Sequence, residues 1–449
     1  MIFDTIVGKA TANGVSALNI IRVSGEDAIE LVNKIFVGKN LLEESGNSVV
    51  YGHLIDKEDL VDEVMVSLFK KPKSFTKENM AEISCHGGNF IANEILKLLI
   101  KNGARMAERG EFTKRAFLNG RIDLAEAESI MDIINAKTKA QLQIAGNALN
   151  GDLSKLIHSL QDEILEIVAQ IEVNIDYPEY DDVVIMTDEI IIPKIILLID
   201  KIKIILEKAN TGKIIRDGIK TVIIGKPNVG KSSLLNSLLK EEKAIVTEIS
   251  GTTRDLIEAE LDLNGILLKL IDTAGIRETS DFVEKIGVEK AKNAILDAEL
   301  ILLVLDQSQS LTDLDMNLLD LTKDKTRILV GNKIDLGKKI DLESEKVLNI
   351  SAKNNFGLED LAKEVKSLFI NEAILENHET VLSNVRHIAK LQETLLSMED
   401  SLFASKNRMP IDMVEIDLKH AWATLGEITG DNSSDHLISL LFSKFCLGK

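Results

Sequence analysis

The segment that starts at Lys220 constrains the fold more than any other part of the chain. An apolar run, Lys220 to Ile224, leads into the glycine loop GKPNVGKS of residues 225–232, and helical spacing of leucines follows. Glycines let backbone N–H groups curl around a phosphate, and a helix N-terminus adds its dipole. A strand before the loop and a helix after it are the context in which this pattern is credible. The segment therefore predicts a P-loop in an α/β sheet.

Within this loop, two side chains can bind the phosphates of a nucleoside triphosphate and their Mg²⁺. Lys231 can reach the β- and γ-phosphate oxygens, and the Ser232 hydroxyl can ligate Mg²⁺. The predicted contacts of the loop are Asn228, Val229, Gly230, Lys231, Ser232 and Ser233.

Four later segments complete a GTP site. The segment 251–255 (GTTRD) offers threonines to Mg²⁺ and the γ-phosphate, and the segment 272–275 (DTAG) follows an apolar run and can hold Mg²⁺ through water. In the segment 332–335 (NKID), Asp335 can accept both N–H donors of guanine, which adenine does not offer. The segment 351–353 (SAK) follows the last strand candidate and would back the base with a main-chain N–H. The further predicted GTP contacts are Thr247, Glu248, Ile249, Ser250, Gly251, Thr252, Thr253, Asp272, Thr273, Ala274, Gly275, Asn332, Lys333, Asp335, Ser351, Ala352 and Lys353.

The residue that follows Gly275 is Ile276, where Ras has the glutamine that orients the attacking water. Isoleucine has no polar group, so the catalytic help must come from elsewhere. One alternative is a monovalent cation held by Asn228 and by carbonyls of the loop 247–252. The other is an acidic side chain that follows the DTAG motif: Glu278, Asp281 or Glu284. The residues by themselves leave both open.

The hydrophobic pattern divides the 449 residues into about three domains. Residues 1–119 mix short strands and helices, which predicts a small α+β domain. Residues 120–217 and 373–449 have helical periodicity and predict one discontinuous helical domain. Residues 218–372 predict a doubly wound, Ras-like α/β domain inserted between them. Its strand candidates are Lys220–Ile224, Leu267–Ile271, Leu300–Leu305, Arg327–Val330 and Val347–Ile350.

Composition limits the compartment and the partners. A net charge of -19 repels nucleic acid and anionic membranes overall, so any RNA contact needs a local basic patch or a partner. Two cysteines form no disulfide framework and favour a reducing compartment. The most apolar tract, Ile190 to Ile199, contains Pro193 and Lys194 and is far shorter than the ~20 residues that span a bilayer. We expect a cytoplasmic protein with no membrane span and no signal peptide.

Several motifs together resemble those of the MnmE (TrmE) family, tRNA-modifying enzymes among the TrmE–Era–EngA-like GTPases. They are the loop of residues 225–233, the segment 251–255 and the ending CLGK of residues 446–449. The blocks 72–76, 85–88 and 110–121 are similar to the folate-binding domain of that family and its junction. The resemblance extends from end to end and implies a homodimer.

The resemblance also implies a folate site and two metal sites. Arg22, Glu82, Arg121 and Lys449 match the family positions that bind 5-formyltetrahydrofolate or methylenetetrahydrofolate, and Cys446 matches a catalytic cysteine near the folate. The family's catalytic glutamate corresponds to Glu284. Potassium would be bound by Asn228 with Thr247, Ile249 and Thr252, and magnesium by Ser232 and Thr253.

The implied activity is potassium-dependent GTP hydrolysis that is activated when two GTPase domains dimerise. With a flavin-dependent, MnmG-like partner in a heterotetramer, such proteins add a carboxymethylaminomethyl-type group to C5 of the tRNA wobble uridine. Folate supplies the one-carbon unit, and the partner supplies FAD and NADH chemistry. Two other functions stay open: a GTP-dependent ribosome-assembly switch that only binds RNA, and a GTP-regulated folate enzyme that acts without tRNA.

Overall fold

The computed structural model describes residues 4–176, 187–240, 257–271, 294–342, 345–369, 380–431, 433–445 and 448. Its contacts form two compact units, one of residues 1–131 with 423–449 and one of residues 132–422. The three domains predicted from the sequence are not tested by this division and stay a prediction. Within the described residues, we find no helix that is long and apolar enough to cross a membrane.

The first unit contains a seven-stranded sheet in the order β3-β4-β5-β6-β2-β1-β7. Its strands are β1 Ile6–Lys9, β2 Leu18–Ser24, β3 Phe36–Val37, β4 Ser48–Asp56, β5 Asp59–Phe69, β6 Met80–His86 and β7 Arg105–Met106. All pairs are antiparallel except β1 with β7. Helices α1 (Ala28–Ile35) and α2 (Asn89–Lys101) pack on the sheet. Alternation along β6 buries Ala81, Ile83 and Cys85 in the core with these helices, so Glu82 points to the opposite face.

Three helices of this unit enclose a smaller apolar cluster. They are α3 (Glu111–Leu118), α4 (Leu124–Asn135), whose last residues belong to the second unit, and, near the end of the chain, α13 (Asp435–Ser443). Ala116, Leu124 and Phe442 are buried there together with Phe445. The cluster holds the last helix against the part of the chain that follows the sheet.

The helices of the second unit come from both sides of the α/β sheet in the sequence. They are α5 (Lys139–Leu149), α6 (Asp152–Asp176), a π-helical turn (Thr187–Ile191), α7 (Ile192–Asp217), α11 (Val385–Lys406) and α12 (Ile411–Thr429), whose last residues belong to the first unit. Thr138 and Gln141 form a capping box that starts α5. Ala140 and Ile144 of α5 pack against the core of the α/β sheet.

The second unit also contains a six-stranded sheet in the order β13-β12-β11-β8-β10-β9. The strands are β8 Ile219–Ile224, β9 Ile257–Leu263, β10 Ile266–Ile271, β11 Leu300–Asp306, β12 Arg327–Asn332 and β13 Val347–Asn349. All are parallel except the edge strand β9. Every residue of β11 is buried because apolar clusters cover both faces. Helices α8 (Lys231–Lys240), α9 (Asp313–Leu321) and α10 (Leu358–Phe369) follow β8, β11 and β13. The predicted fold class is confirmed.

One residue, Gly218, joins α7 to β8. Its φ is +75°, a region that side chains disfavour, and a Cβ there would lie 2.7 Å from the Leu267 carbonyl oxygen. Glycine is therefore required for the chain to pass from this helix directly into the central part of the sheet.

Candidate functional site

The predicted P-loop lies between β8 and α8, at the carboxyl edge of the parallel strands. This edge is where ligands bind in open α/β sheets. Asn228 has a φ of +66° and Gly230 a φ of +97°. A Cβ on Gly230 would lie 2.2 Å from Asn332 Nδ2, so the loop packs directly against the end of β12. The left-handed residues and this close contact together define the curvature of the loop.

Lys231, the first residue of α8, turns back over the loop. Its ammonium donates to the carbonyl oxygens of Gly225 and Lys226, both at 2.9 Å. Burial lowers the pKa of Lys231 because the charged form loses water. The two carbonyl contacts place the Lys231 ammonium inside the curve of the loop, where a phosphate binds in proteins of this type.

Asn332 joins the P-loop to the segment that was predicted to back the guanine base. Its Nδ2 donates to the Val229 carbonyl at 2.8 Å, and its Oδ1 accepts from the Ala352 backbone N–H at 3.0 Å. Nearby, the Ser351 hydroxyl donates to Asp335 Oδ1 at 2.7 Å. The bond orients the Asp335 carboxylate, and each of its two oxygens keeps a lone pair for a ligand. The structure thus brings the two predicted base-reading segments together.

Lys333 holds the middle of the P-loop. Its ammonium donates to the Asn228 carbonyl at 2.6 Å and to Asp306 Oδ2 at 2.8 Å. Burial by itself raises the pKa of the Asp306 carboxyl, but hydrogen bonds from Lys333 and Ser308 outweigh it and the net shift is downward. Asp306 is therefore a buried anion that anchors Lys333. The sequence interpretation did not include it, although its place at the end of β11 is a signal that could have found it.

The sequence interpretation also did not include a second ion pair that holds the P-loop. Lys226 donates to Asp315 Oδ2 at 2.8 Å, and both side chains are largely buried. The same Asp315 oxygen accepts from the Thr312 N–H and hydroxyl, which forms the capping box of α9. Burial raises the pKa of Asp315, and the hydrogen bond from Lys226 with those from Thr312 lowers it further than burial raises it. One carboxylate therefore anchors the P-loop to the start of α9.

Two of the predicted metal ligands, Ser232 and Asn228, lie in the described part of the chain. The Ser232 hydroxyl lies exposed in the first turn of α8, as a magnesium ligand would. Asn228 is exposed, and its carbonyl is used by Lys333, so its side-chain amide is the part that can bind a cation. Ser233 and Lys353 are exposed beside the site. No group of three or more His, Cys, Asp or Glu that suits a metal occurs among the residues that the structure describes.

Many predicted site residues lie outside the described residues, and their placement stays a prediction. In the GTPase segments they are Thr247, Glu248, Ile249, Ser250, Gly251, Thr252, Thr253, Asp272, Thr273, Ala274, Gly275, Ile276, Glu278, Asp281 and Glu284. At the end of the chain they are Cys446 and Lys449.

The first unit brings together the other three predicted folate contacts. Arg22 on β2 lies opposite Glu82 on β6, and its Nε and Nη2 are each 2.8 Å from Glu82 Oε1. Arg22 Nη1 also donates to the Gly448 carbonyl at 3.4 Å. The Arg121 guanidinium lies over the ring of Phe75, 4.6 Å from its centroid, and Arg22 lies 5.4 Å from the same centroid. Phe75 was not among the predicted residues.

The parallel sheet, its phosphate loop and the adjoining base-reading segments define a P-loop GTPase. Two family models match the chain: the MnmE helical domain over residues 124–446 and the N-terminus of the GTP-binding protein TrmE over residues 5–121. The chain therefore belongs to the MnmE family of tRNA modification GTPases.

Relatives of known name match over the whole chain. The tRNA modification GTPase MnmE of Enterococcus faecalis is 49% identical over 460 residues, with 100% of this chain and 99% of the relative covered. That of Bacillus cytotoxicus is 51% identical over 458 residues, with both chains covered in full. Among solved structures, the G domain of the T. maritima FeoB iron transporter is 29% identical over 33% of this chain and 97% of its own. The TM-score is 0.26.

Proposed function

We propose that this protein hydrolyses GTP and uses the nucleotide cycle to control modification of the tRNA wobble uridine. The contacts of Asn332 support the nucleotide part most directly, because one buried amide links the P-loop at Val229 to the base-reading segment at Ala352. Asp335, oriented by Ser351, accepts the two N–H donors of guanine. The phosphate loop and the base-reading loop thus bind one nucleotide.

The chain's own groups at the phosphates have separate roles. Lys231 neutralises the β- and γ-phosphate oxygens, and Ser232 with Thr253 holds Mg²⁺. Asn228 and the carbonyls of Thr247, Ile249 and Thr252 hold K⁺. A cation there supplies the positive charge that an arginine finger supplies in other GTPases.

Glu284, which lies in the segment that follows the DTAG motif, orients the attacking water, since Ile276 has no polar group for that purpose. Two GTPase domains associate when GTP and K⁺ are bound, and hydrolysis releases them. The resulting movement controls the modification step in a homodimer that works with a flavin-dependent partner.

The first unit binds the one-carbon donor. Arg22 and Glu82 are paired on the face of the sheet opposite α1 and α2 and present donors and an acceptor to a reduced folate, with Arg121 and Lys449 as further cations. Cys446 acts close to that folate. Folate supplies the one-carbon unit and the partner supplies FAD and NADH chemistry for the carboxymethylaminomethyl-type group.

Base specificity is tested with Asp335→Asn. The amide loses one acceptor and gains N–H donors, which the C2 carbonyl of xanthine can accept. We expect GTP affinity to fall by at least about a hundredfold and xanthosine triphosphate affinity to rise. Asp341→Asn, a change at an exposed position of the same unit, should leave both affinities unchanged. Equal GTP binding by Asp335→Asn would refute the base-reading role.

The hydrolysis mechanism is tested by single-turnover rates in K⁺ and in Na⁺. Replacing K⁺ should lower the rate by at least about a hundredfold, as removal of an arginine finger does. Glu284→Ala should lower it by a similar factor with GTP affinity retained, whereas Glu278→Ala should have little effect. A rate that is indifferent to the cation excludes the potassium role.

The biological role is tested by mass spectrometry of wobble nucleosides from a deletion strain. Loss of the modified uridine, with recovery when this chain is supplied, supports the proposal. Normal wobble nucleosides with immature ribosomal subunits would favour the assembly switch instead. Normal tRNA and ribosomes with altered one-carbon pools would favour the folate enzyme.

A further inference from the structure

Phe75 makes contact with two of the arginines assigned to the folate site. The Arg22 guanidinium lies 5.4 Å from its ring centroid and the Arg121 guanidinium 4.6 Å. Arg22 also lies 5.6 Å from the ring centroid of Phe112, which is fully buried. Guanidinium groups are attracted to an aromatic face within about 6 Å, so one ring orients both cations.

The two arginines differ in their partners: a carboxylate neutralises Arg22, whereas Arg121 lies on an aromatic ring. Glu82 pairs with Arg22 and neutralises it, and the side chains of this pair are only 17% and 24% exposed. Arg121 is exposed, and its guanidinium lies on the ring of Phe75. A flat cation held on an aromatic face keeps its N–H edge directed outward, where it can meet a carboxylate or carbonyl oxygen of a ligand.

Phe75 is itself held from two sides. Its ring packs against two apolar clusters of the first unit, the one of α3, α4 and α13 and the one that contains Phe112. The neighbouring backbone is tied to the turn that carries Arg121: Asn119 donates to the Thr76 carbonyl, and Lys77 donates to the Gly120 carbonyl, both at 2.7 Å. The ring and Arg121 therefore keep a constant relative position.

We propose that Phe75 is a positioning residue of the folate site, and that its aromatic face sets the spacing and orientation of Arg22 and Arg121 for the ligand's polar groups. The inference rests on the proposed folate function of this unit. The ring makes no hydrogen bond to a ligand in this role, and acts through the two guanidinium groups. Its aromatic face, rather than its apolar volume, is the property that matters.

The test measures 5-formyltetrahydrofolate binding to the full-length protein by calorimetry. Phe75→Leu removes the aromatic face and keeps most of the apolar volume, and Phe75→Tyr restores the face. The matched control is Phe117→Leu, because Phe117 is a half-buried phenylalanine of the same cluster that packs on the ring of Phe442. Thermal denaturation of each variant reports any loss of packing.

We expect Phe75→Leu to weaken folate binding by about three- to thirtyfold, the value of one or two cation–π contacts. Phe75→Tyr should bind within about threefold of the unsubstituted protein. Phe117→Leu should bind normally, even where its melting temperature falls as much as that of Phe75→Leu.

Three results would overturn the inference: unchanged binding by Phe75→Leu, an equal loss in Phe117→Leu, or a loss in Phe75→Tyr as large as in Phe75→Leu. Each of these leaves the folate proposal intact, because the unsubstituted protein binds the ligand. If the unsubstituted protein itself failed to bind 5-formyltetrahydrofolate, the folate proposal would be wrong and the role of Phe75 would fall with it.

Discussion

Lys137 forms an ion pair with Glu260, which connects the residues that precede α5 to the edge strand β9. The Glu260 side chain is 6% exposed and that of Lys137 26%. A second pair within the same unit joins Arg216, at the end of α7, to Asp132 at 2.8 Å. Strand β9 follows the segment 251–255, and β10, its partner, precedes the segment 272–275, both of which are predicted to contact Mg²⁺. The Lys137–Glu260 pair therefore links the residues before α5 to a strand that lies between two segments predicted to contact the nucleotide's Mg²⁺.

Lys137→Met should loosen this link. The change leaves the Glu260 carboxylate in a buried position without the lysine charge, and we expect a loss of about 1–3 kcal/mol in local stability. Hydrogen exchange of the β9 amides, measured by mass spectrometry, should become faster. Lys139→Met, at the exposed lysine two residues further along the chain, is the control and should leave the exchange unchanged. Equal exchange in both variants would show that the ion pair does not hold β9.

Gly230→Ala should disable the nucleotide site. The residue has a φ of +97°, and the new methyl group would collide with Asn332 Nδ2. We expect GTP affinity to fall by more than about tenfold, because the loop must move off β12. Gly337→Ala is a matched control, since its φ of +130° also strains the backbone but a Cβ there meets nothing within 4 Å. Fluorescent nucleotide titration distinguishes them, and similar affinities would argue against the packing contact.

Asp315→Ala should destabilise the α/β domain and weaken GTP binding together. The change leaves Lys226 without its buried partner and removes the cap of α9, with an expected cost of about 2–4 kcal/mol. The pKa of Asp315 lies below its ordinary value of 3.8, so its contribution is full above that pH. It is lost as the pH falls through the lower pKa of the folded state. Denaturation curves should show that Asp315→Ala lowers the free energy of unfolding above this pKa and by less below it. Asp313→Ala, a change at an exposed aspartate, should leave the free energy of unfolding unchanged.

Cys85 should be inert in the folded protein. Burial raises the pKa of its thiol to about 11, and the nearby Asp62 carboxylate adds to the effect. At pH 8 the reactive thiolate is then roughly a thousandth of the population. In Cys446→Ser, where Cys85 is the one remaining thiol, a disulfide reagent should label no group until denaturant is added or the pH approaches the raised pKa. Labelling within seconds at pH 8 would contradict this.

The sequence predicted the central strands well because each is apolar along its length. The run Leu300–Leu305, for example, is one residue shorter than β11. Strand β9 was not predicted, since its sequence IEAELDL alternates acidic and apolar residues and lies at a sheet edge. Strand β4 was not predicted either. Its register opposite β5 depends on pairing across the sheet, which a local pattern does not contain.

The same distinction applies to the candidate site. Lys231 and Asp335 were predicted because each belongs to a short motif whose residues are neighbours in the chain. The partners that hold the P-loop in shape, Asp306 and Asp315, lie far from it in sequence, and only folding brings them near. The pattern Thr312-x-x-Asp315 indicates a helix start but not a lysine partner. The contact of Phe75 with two arginines likewise depends on three separate segments.

The single glycine between α7 and β8 has a mechanical consequence. A linker of several residues could extend when either element is displaced. A single residue packed closely against the Leu267 carbonyl cannot extend in this way. Tension applied along α7 would therefore load the central strand of the sheet at once. In a force-extension experiment, the carboxyl-terminal turns of this helix and strand β8 should yield together, as a single step.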